Sequence, residues 1–568
     1  MSTHARPLAD RLAAASDAQL EQLLRIRRVR ADVDWTDFFD AAEALLEPSS
    51  IERGLESLTQ DEARALQRAA AEDSDAGADA PPALTDFTLM DDAGDVPTPV
   101  AALVRSRPVV PDAMDAPMRP ASEVATARAA ERAFTTIGDL ADVLLATRSA
   151  PLALVATGAL SATERRRFTV SGSLDDLRAL AEMAGLARPV DRELRATDAA
   201  EQWLSASFAP RWAQVTTAFR DALPQGLRTA DGWLPAAQWP GAHPWDRSWP
   251  AAAAQLRSLA MRLGLFTEDD AEPEWASALR AAGSADAAAV DTSSLEALLP
   301  TEVDRVFLQN DLSAIAPGPL RPALDNRLRA MTEHESAVQA SSYRFTADSV
   351  ARALVEGETE RGILEFLHEV SLTGVPQPLE YLVAQTATRH GLVRVGPDSS
   401  GGTIVSSVDD HLLGAIEIDR NLRPMGLVRD GDRLTSRVGA QAVAWALTDA
   451  RYPATLVDLD GDAVSAARTR VAPHGTAEPV SYAPLIGRLR ARQGPDADAA
   501  WLDRELEAAV RARALVVVEV GMPDGSSREL TLEASGVGGG RLRGRDRAAD
   551  VERTLPVRSI RSVRVLES

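Results

Sequence analysis

The chain contains no cysteine and no lysine. Without cysteine there is neither a disulfide framework nor a thiolate zinc site. The missing lysine excludes more. A P-loop needs the lysine of GxxxxGK[ST] to reach the terminal phosphates of a nucleotide, and these 568 residues cannot provide one. No strand–DExx–helix context is present to hold a nucleotide-bound metal either. An ATP-driven motor acting with this chain must therefore come from another polypeptide. Long apolar runs are also missing: nothing approaches the ~18 uncharged apolar residues of a membrane span. The opening MSTHARPLADRL has no apolar core of the signal-peptide kind. The expected location is cytoplasmic, with no membrane partner.

Motifs that carry catalysis are missing as well. The seven histidines (His4, His243, His334, His368, His390, His411 and His474) show no HxxxH or HExxH spacing. No G-x-S-x-G elbow and no recognisable carboxylate pair occurs. The Gly-rich GVGGGRLRG at 536–544 leads into strand-like text, so it reads as a hairpin rather than as a phosphate loop opening a helix. The expectation is a non-enzyme without a cofactor. The net charge of −23 argues against indiscriminate DNA binding, because phosphate affinity comes from clustered cations and an acidic body repels the duplex. Any such contact must be local.

What is present is a long, Ala- and Arg-rich, mainly helical text, too long for one core. Ser16-Asp17-Ala18-Gln19 has the form of a capping box opening a helix through Leu20, Leu23 and Leu24. The arginines that follow (Arg25, Arg27, Arg28 and Arg30) suit either phosphate or a solvated face near a negative helix end. Phe38, Phe39, Ala42 and Leu45 mark a second helix, and 51–71 two short ones. Residues 1–72 read as a helical, winged-helix-like unit. The acidic DSDAGADAPPA at 73–83 is linker, 73–120 is extended connection, and Val100–Val104 reads as a strand. Over 121–300 helical periodicity returns, with a second capping box at Ser161–Glu164 and a basic triplet at Arg165, Arg166 and Arg167. GWLPAAQWPGAHPWDRSWP at 232–250 carries Trp233, Trp239, Trp245 and Trp249 among prolines. Three readings stay open for it: packing onto a helical body, a protein-docking surface, or base stacking.

From 303 to 396 the text changes. VFLQNDLSAIAPGPL alternates from Val306 to Ile315 like a strand. YRFTADSVARALVEGETERGILEFLHEVSLTGVPQPLEYLVAQTATRHGLVRVG then reads as helices broken at Thr373-Gly374-Val375-Pro376 and ending in a strand. The YRFTADS entry, the spaced helices, the S-L-T-G-V-P turn and the R-H-G-L-V-R-V exit resemble the N-terminal, non-motor domain of XPB-type DNA repair and transcription helicases. The resemblance covers about a sixth of the chain. It implies a helicase-associated, nucleic-acid-related role, and it implies no motor. The unit is expected over 301–465, continued by helices at 409–418 and 438–450 and a strand at 454–459. Were it a winged helix, Gln377–Arg389 would face a groove with only Arg389, His390 and Arg394 as basic groups. An apolar docking edge suits this sequence better.

After a linker at 466–500, the last unit (501–568) starts with the helical WLDRELEAAVRAR, followed by the buried-strand run ALVVVEV. An Asp524-Gly525 hairpin turn and the return strand SRELTLEA come next. The D-G turn, R-L-R-G-R-D, E-R-T-L-P-V and I-R-S-V resemble the WYL domain, a small Sm-like β-barrel of bacterial regulators and helicase-associated proteins. The W-Y-L triad itself is replaced by Arg541-Leu542-Arg543, which departs from the family at its ligand site. Residues 511–568 hold 11 arginines against 8 acidic groups, a balance of +3 in an otherwise negative chain. On a strand Arg541, Arg543 and Arg545 share a face, which favours an anion. Arg553, Arg558 and Arg561 add to the cluster, with Arg389 and Arg394 as a secondary basic site. The alternative is a solvated exterior with arginine paired to Asp546, Asp550 and Glu552.

The expected architecture is thus multi-domain and mainly α, with α+β modules. It comprises winged-helix-like units, an XPB-N-like domain and a C-terminal Sm-like β-barrel. The expected partners are a DNA helicase or other ATPase in trans and, weakly, single-stranded nucleic acid. The rival expectation is a WYL-type regulator responding to a ligand or to nucleic acid.

Overall fold

The computed structural model describes the chain except for residues 1–4, 72–79, 113–116, 169, 171, 283–289, 337–340, 399–400, 462–463, 465–470, 473–479, 494, 523–525 and 567–568. The Asp524-Gly525 turn lies outside the described residues. Helices alternate with five small sheets, so the fold is multi-domain and mixed α+β. Two compact units result, neither continuous in sequence: 1–117 with 224–257 and 476–568, and 118–223 with 258–475.

In the first unit the capping box forms as written. Ser16 accepts from the Gln19 amide at 3.3 Å, and the Gln19 side chain accepts from the Ser16 amide at 2.9 Å. The helix Asp17–Ile26 buries Leu20, Leu23 and Leu24 against Phe38, Phe39 and Leu45. Tyr482, Leu485, Ile486, Leu489 and Trp501 complete this core, so the N-terminal helices pack on a segment more than 400 residues away in sequence. A second core joins Ile51, Leu55 and Leu66 to Val100, Val104 and Trp245. Val100–Val104 is not a strand. Pro99 lies in the first turn of a helix, Thr98–Arg105, which buries Val100, Ala101 and Val104 on one face.

Arg27 departs furthest from its expected place. It is wholly buried, and its guanidinium donates to Ser50 O at 2.6 Å, to Phe87 O at 2.9 and 3.2 Å and to Thr88 Oγ1 at 3.1 Å. Burial lowers its pKa to about 9, so it is still a cation at neutral pH. The four tryptophans of 232–250 are all 5 % exposed or less. The Trp249 indole donates to Trp239 O at 2.7 Å and the Trp239 indole to Leu234 O at 2.8 Å. Of the three readings, packing is the one that holds.

In the second unit, Val306–Ile315 is a hairpin rather than one strand. Phe307–Leu308 pairs antiparallel with Ser313–Ile315 across a turn in which Leu312 takes φ 67°. The helices Ala347–Val355, Glu360–Val370 and Gln377–His390 follow, the first opened by a Thr346/Ser349 capping box. At the break Gly374 takes φ 80°, a left-handed backbone that glycine adopts without cost, and Pro376 forms the cap of the next helix. The chain then enters a five-stranded sheet. Val393–Pro397 lies between Thr403–Ser407, the central strand, to which it is antiparallel, and the edge strand Ala454–Leu456, to which it is parallel. The helices Asp410–Ile418 and Ala440–Asp449 pack on it through Leu413, Ile416, Val443 and Leu447.

The C-terminal sheet belongs to the first unit. It runs Val551–Pro556, Arg541–Asp546, Ser527–Gly538, Leu515–Gly521, Ile560–Leu566, antiparallel throughout. Leu502, Leu506 and Ala509 of the preceding helix cover its inner face with Val516, Val518, Leu532 and Leu542. The two edge strands are joined only by the turn Val557–Ser559. Four Cα steps reach no more than ~14 Å, whereas four strand spacings of a flat sheet amount to ~19 Å. The sheet must therefore curl. No ladder joins its two edges among the described residues, so the expected closed barrel is replaced by a curled, open sheet.

Candidate nucleic-acid interface

Strand Arg541–Asp546 alternates strictly: Arg541, Arg543 and Arg545 are exposed, and Leu542, Gly544 and Asp546 are buried. Gly544 is required by space, since a Cβ there would lie 2.8 Å from Glu533 O. Register then separates the three arginines. Arg541 stands between Gly538 and Pro556, and Arg543 between Gly536 and Thr554. Arg545 stands between Glu533 and Glu552, and its guanidinium is also held by Asp550 at 2.7 Å. Opposite charges on directly facing strand positions neutralise one another, so Arg545 is already satisfied. Arg541 and Arg543 have no ion-pair partner among the described residues. Beside them Gly536, Gly538, Gly539 and Gly540 form a strip without side chains, where an added Cβ would meet nothing within 4 Å.

The remaining arginines divide in the same way. Arg553 donates to Asp546 Oδ2 at 2.5 Å, and this bond holds the Asp546 carboxyl below the usual carboxylate range. The Arg561 guanidinium lies over Gly521, whose Cβ position is 3.0 Å from its Nε. It faces Glu519, whose carboxyl is held down by Ser527 and Ser562 and, to a smaller degree, by Arg561. Arg558 is exposed on the turn between the edge strands. The solvated-exterior alternative thus describes Arg545 and Arg553, but not Arg541 and Arg543. A guanidinium without a carboxylate beside a bare backbone strip can form charge-assisted bonds to phosphate oxygens while the sugar–phosphate chain lies close.

The secondary pair lies in the other unit. Arg394 points outward from its strand and donates to Gly461 O, so its guanidinium is engaged. Arg389 is exposed in the last turn of Gln377–His390. Arg451, which lines a cleft together with Arg389, was not legible as its companion. The segments that carry the two are brought together by parallel pairing of Val393 with Ala454, a contact between distant segments. The Arg165–Arg167 triplet behaves as a solvated face, Arg165 being held by Asp175 at 2.9 Å and Arg167 by Glu164 at 3.5 Å. No group of three or more histidine, aspartate or glutamate side chains is placed to hold a metal among the described residues, and no helix among them is long and apolar enough to cross a membrane.

Against known families, residues 306–430 match the helicase conserved C-terminal domain. The match takes in the hairpin, the three helices, the Gly374 break and the strands up to Asp430, which includes most of the block whose sequence resembles a helicase non-motor domain. Over these residues the chain is therefore similar to a helicase-type domain. A comparison with curated proteins finds no match.

Proposed function

We propose that this chain is a helicase-associated accessory protein. It docks a DNA repair or transcription helicase through the 306–430 region and touches nucleic acid backbone through Arg541 and Arg543. The observation that carries the reading is a helicase-type domain in a stretch with no lysine at all: such a stretch can accompany a P-loop motor and cannot form one. Three helices followed by an antiparallel strand pair support a winged-helix, XPB-N-like reading of the central block. A helix followed by a curled five-stranded meander supports a WYL-like, Sm-type reading of the C-terminus. Both are inferences from organisation, which fixes no activity by itself.

The test has two arms. Purified chain mixed with single-stranded DNA and ATP should release no phosphate, and tagged chain should co-purify with a lysine-bearing ATPase. ATP hydrolysis by the isolated chain would end the proposal. The rival, a regulator reading duplex DNA, predicts nanomolar binding to a defined duplex with loss at mismatched positions; weak binding that does not depend on sequence favours the accessory role.

A further inference from the structure

The second unit contains a cleft of about 1280 Å³ bounded by Pro322–Ala330, Ala347–Val355 and the ends of Gln377–His390 and Ala440–Asp449. Its breadth has a simple cause. Ala323, Ala330, Ala347 and Ala351 line two of its walls, and their short side chains leave the space open. A volume of this size takes a ligand of nucleotide dimensions, since small-molecule sites span roughly 300–1,000 Å³.

Five carboxylates and five arginines line the cleft. Two of the carboxylates are held by their own arginines, Glu201 by Arg148 at 3.6 Å and Glu358 by Arg327 at 2.8 Å, and the other three are Asp348, Glu356 and Asp449. Arg389 and Arg451 have no ion-pair partner among the described residues. Both line the cleft, and topology brings together the segments that carry them. The helices that carry or precede them run into Val393–Pro397 and Ala454–Leu456, which are parallel neighbours with Val393 opposite Ala454. The carbonyl of His390 accepts from Thr455 Oγ1 at 2.7 Å, which ties the two connections together. His390 also lines the cleft, and burial lowers its pKa. Arg451 takes φ 65°, a backbone position that a non-glycine residue occupies at a cost.

We propose that Arg389 and Arg451 bind the phosphate group of a small molecule in this cleft, the rest of the ligand lying over the alanine-lined walls. A guanidinium fork matches a phosphate oxygen pair, and two forks on adjacent connections converge on one anion. The competing account is that both arginines only offset the partial negative charge at two helix ends. It requires no ligand and predicts none.

Calorimetric titration of the full chain with AMP, adenosine and inorganic phosphate separates the two accounts. AMP should bind and adenosine should not. Arg389→Ala with Arg451→Ala should weaken AMP by roughly tenfold or more. Arg541→Ala with Arg543→Ala should weaken single-strand binding and leave AMP binding unchanged, so failure here and failure of the accessory reading are distinguishable. Ala351→Phe, which fills the cleft without changing charge, should also abolish AMP binding with an unaltered circular-dichroism melt. Phosphate competing as well as AMP would assign the site to a free oxyanion and sustain the proposal. Equal binding of AMP and adenosine, or no binding of either AMP or phosphate, would overturn it.

Discussion

Replacing Arg541 and Arg543 by alanine removes two exposed guanidiniums of this strand that have no ion-pair partner among the described residues, while Arg545→Ala removes one that Asp550 already holds at 2.7 Å. Each phosphate contact on a single strand adds about −0.7 to the slope of log K against log salt, so losing two makes the slope shallower by about 1.4. Between 50 and 200 mM salt the affinity ratio of wild type to double variant should then fall about sevenfold. Fluorescence anisotropy of a labelled oligothymidylate, titrated at four salt concentrations, reads this directly. The Arg545→Ala slope should lie within a few tenths of wild type. If the single substitution at Arg545 flattens the slope as much as the double one, pairing does not decide which arginines are available, and the reasoning from register fails. An unchanged slope in the double variant would remove this strand from nucleic acid contact altogether.

Other consequences concern stability. Arg27→Ala leaves the carbonyls of Ser50 and Phe87 and the Thr88 hydroxyl without their buried donor, and should lower unfolding free energy by about 3–5 kcal/mol in urea titration. Arg27→Met, which removes the charge and keeps the bulk, should cost less. Burial raises the pKa of Glu505 to about 7, against the opposing pull of Arg6 at 3.6 Å. Its folded value lies above the unfolded one, so the folded state binds the extra proton between about pH 4.5 and 7 and stability falls as pH rises through that window. In Glu505→Gln the difference in stability between pH 5 and pH 8 should shrink by about 2.5 kcal/mol, measured by chemical unfolding at both pH values; an unchanged difference would show that Glu505 titrates normally. Trp249→Ala should cost about 3–5 kcal/mol, seen as a lower melting temperature, because it removes a buried ring and frees the Trp239 carbonyl.

Sequence by itself determined whatever depends on a few neighbouring residues. Capping at Ser16, the left-handed break at Gly374 and the outward alternation of Arg541, Arg543 and Arg545 are all set by local hydrogen bonding and by helix or strand period. Absences were equally firm, since no fold can supply a lysine the chain lacks. Where local text was ambiguous it misled: Val100–Val104 is apolar enough for a strand, yet Pro99 and a one-sided burial requirement make it helical, and Val306–Ile315 alternates through what is in fact a turn. Tertiary structure decided the rest. Strand register, which no single strand encodes, placed Glu533 and Glu552 beside Arg545 and glycines beside Arg541 and Arg543. Long-range packing buried Arg27 against carbonyls from two other segments and brought the segment that carries Arg451 to the end of the helix that carries Arg389. The physical reason is that the availability of a charge depends on what stands within a few ångströms of it, and in this chain those neighbours are often tens to hundreds of residues away in sequence.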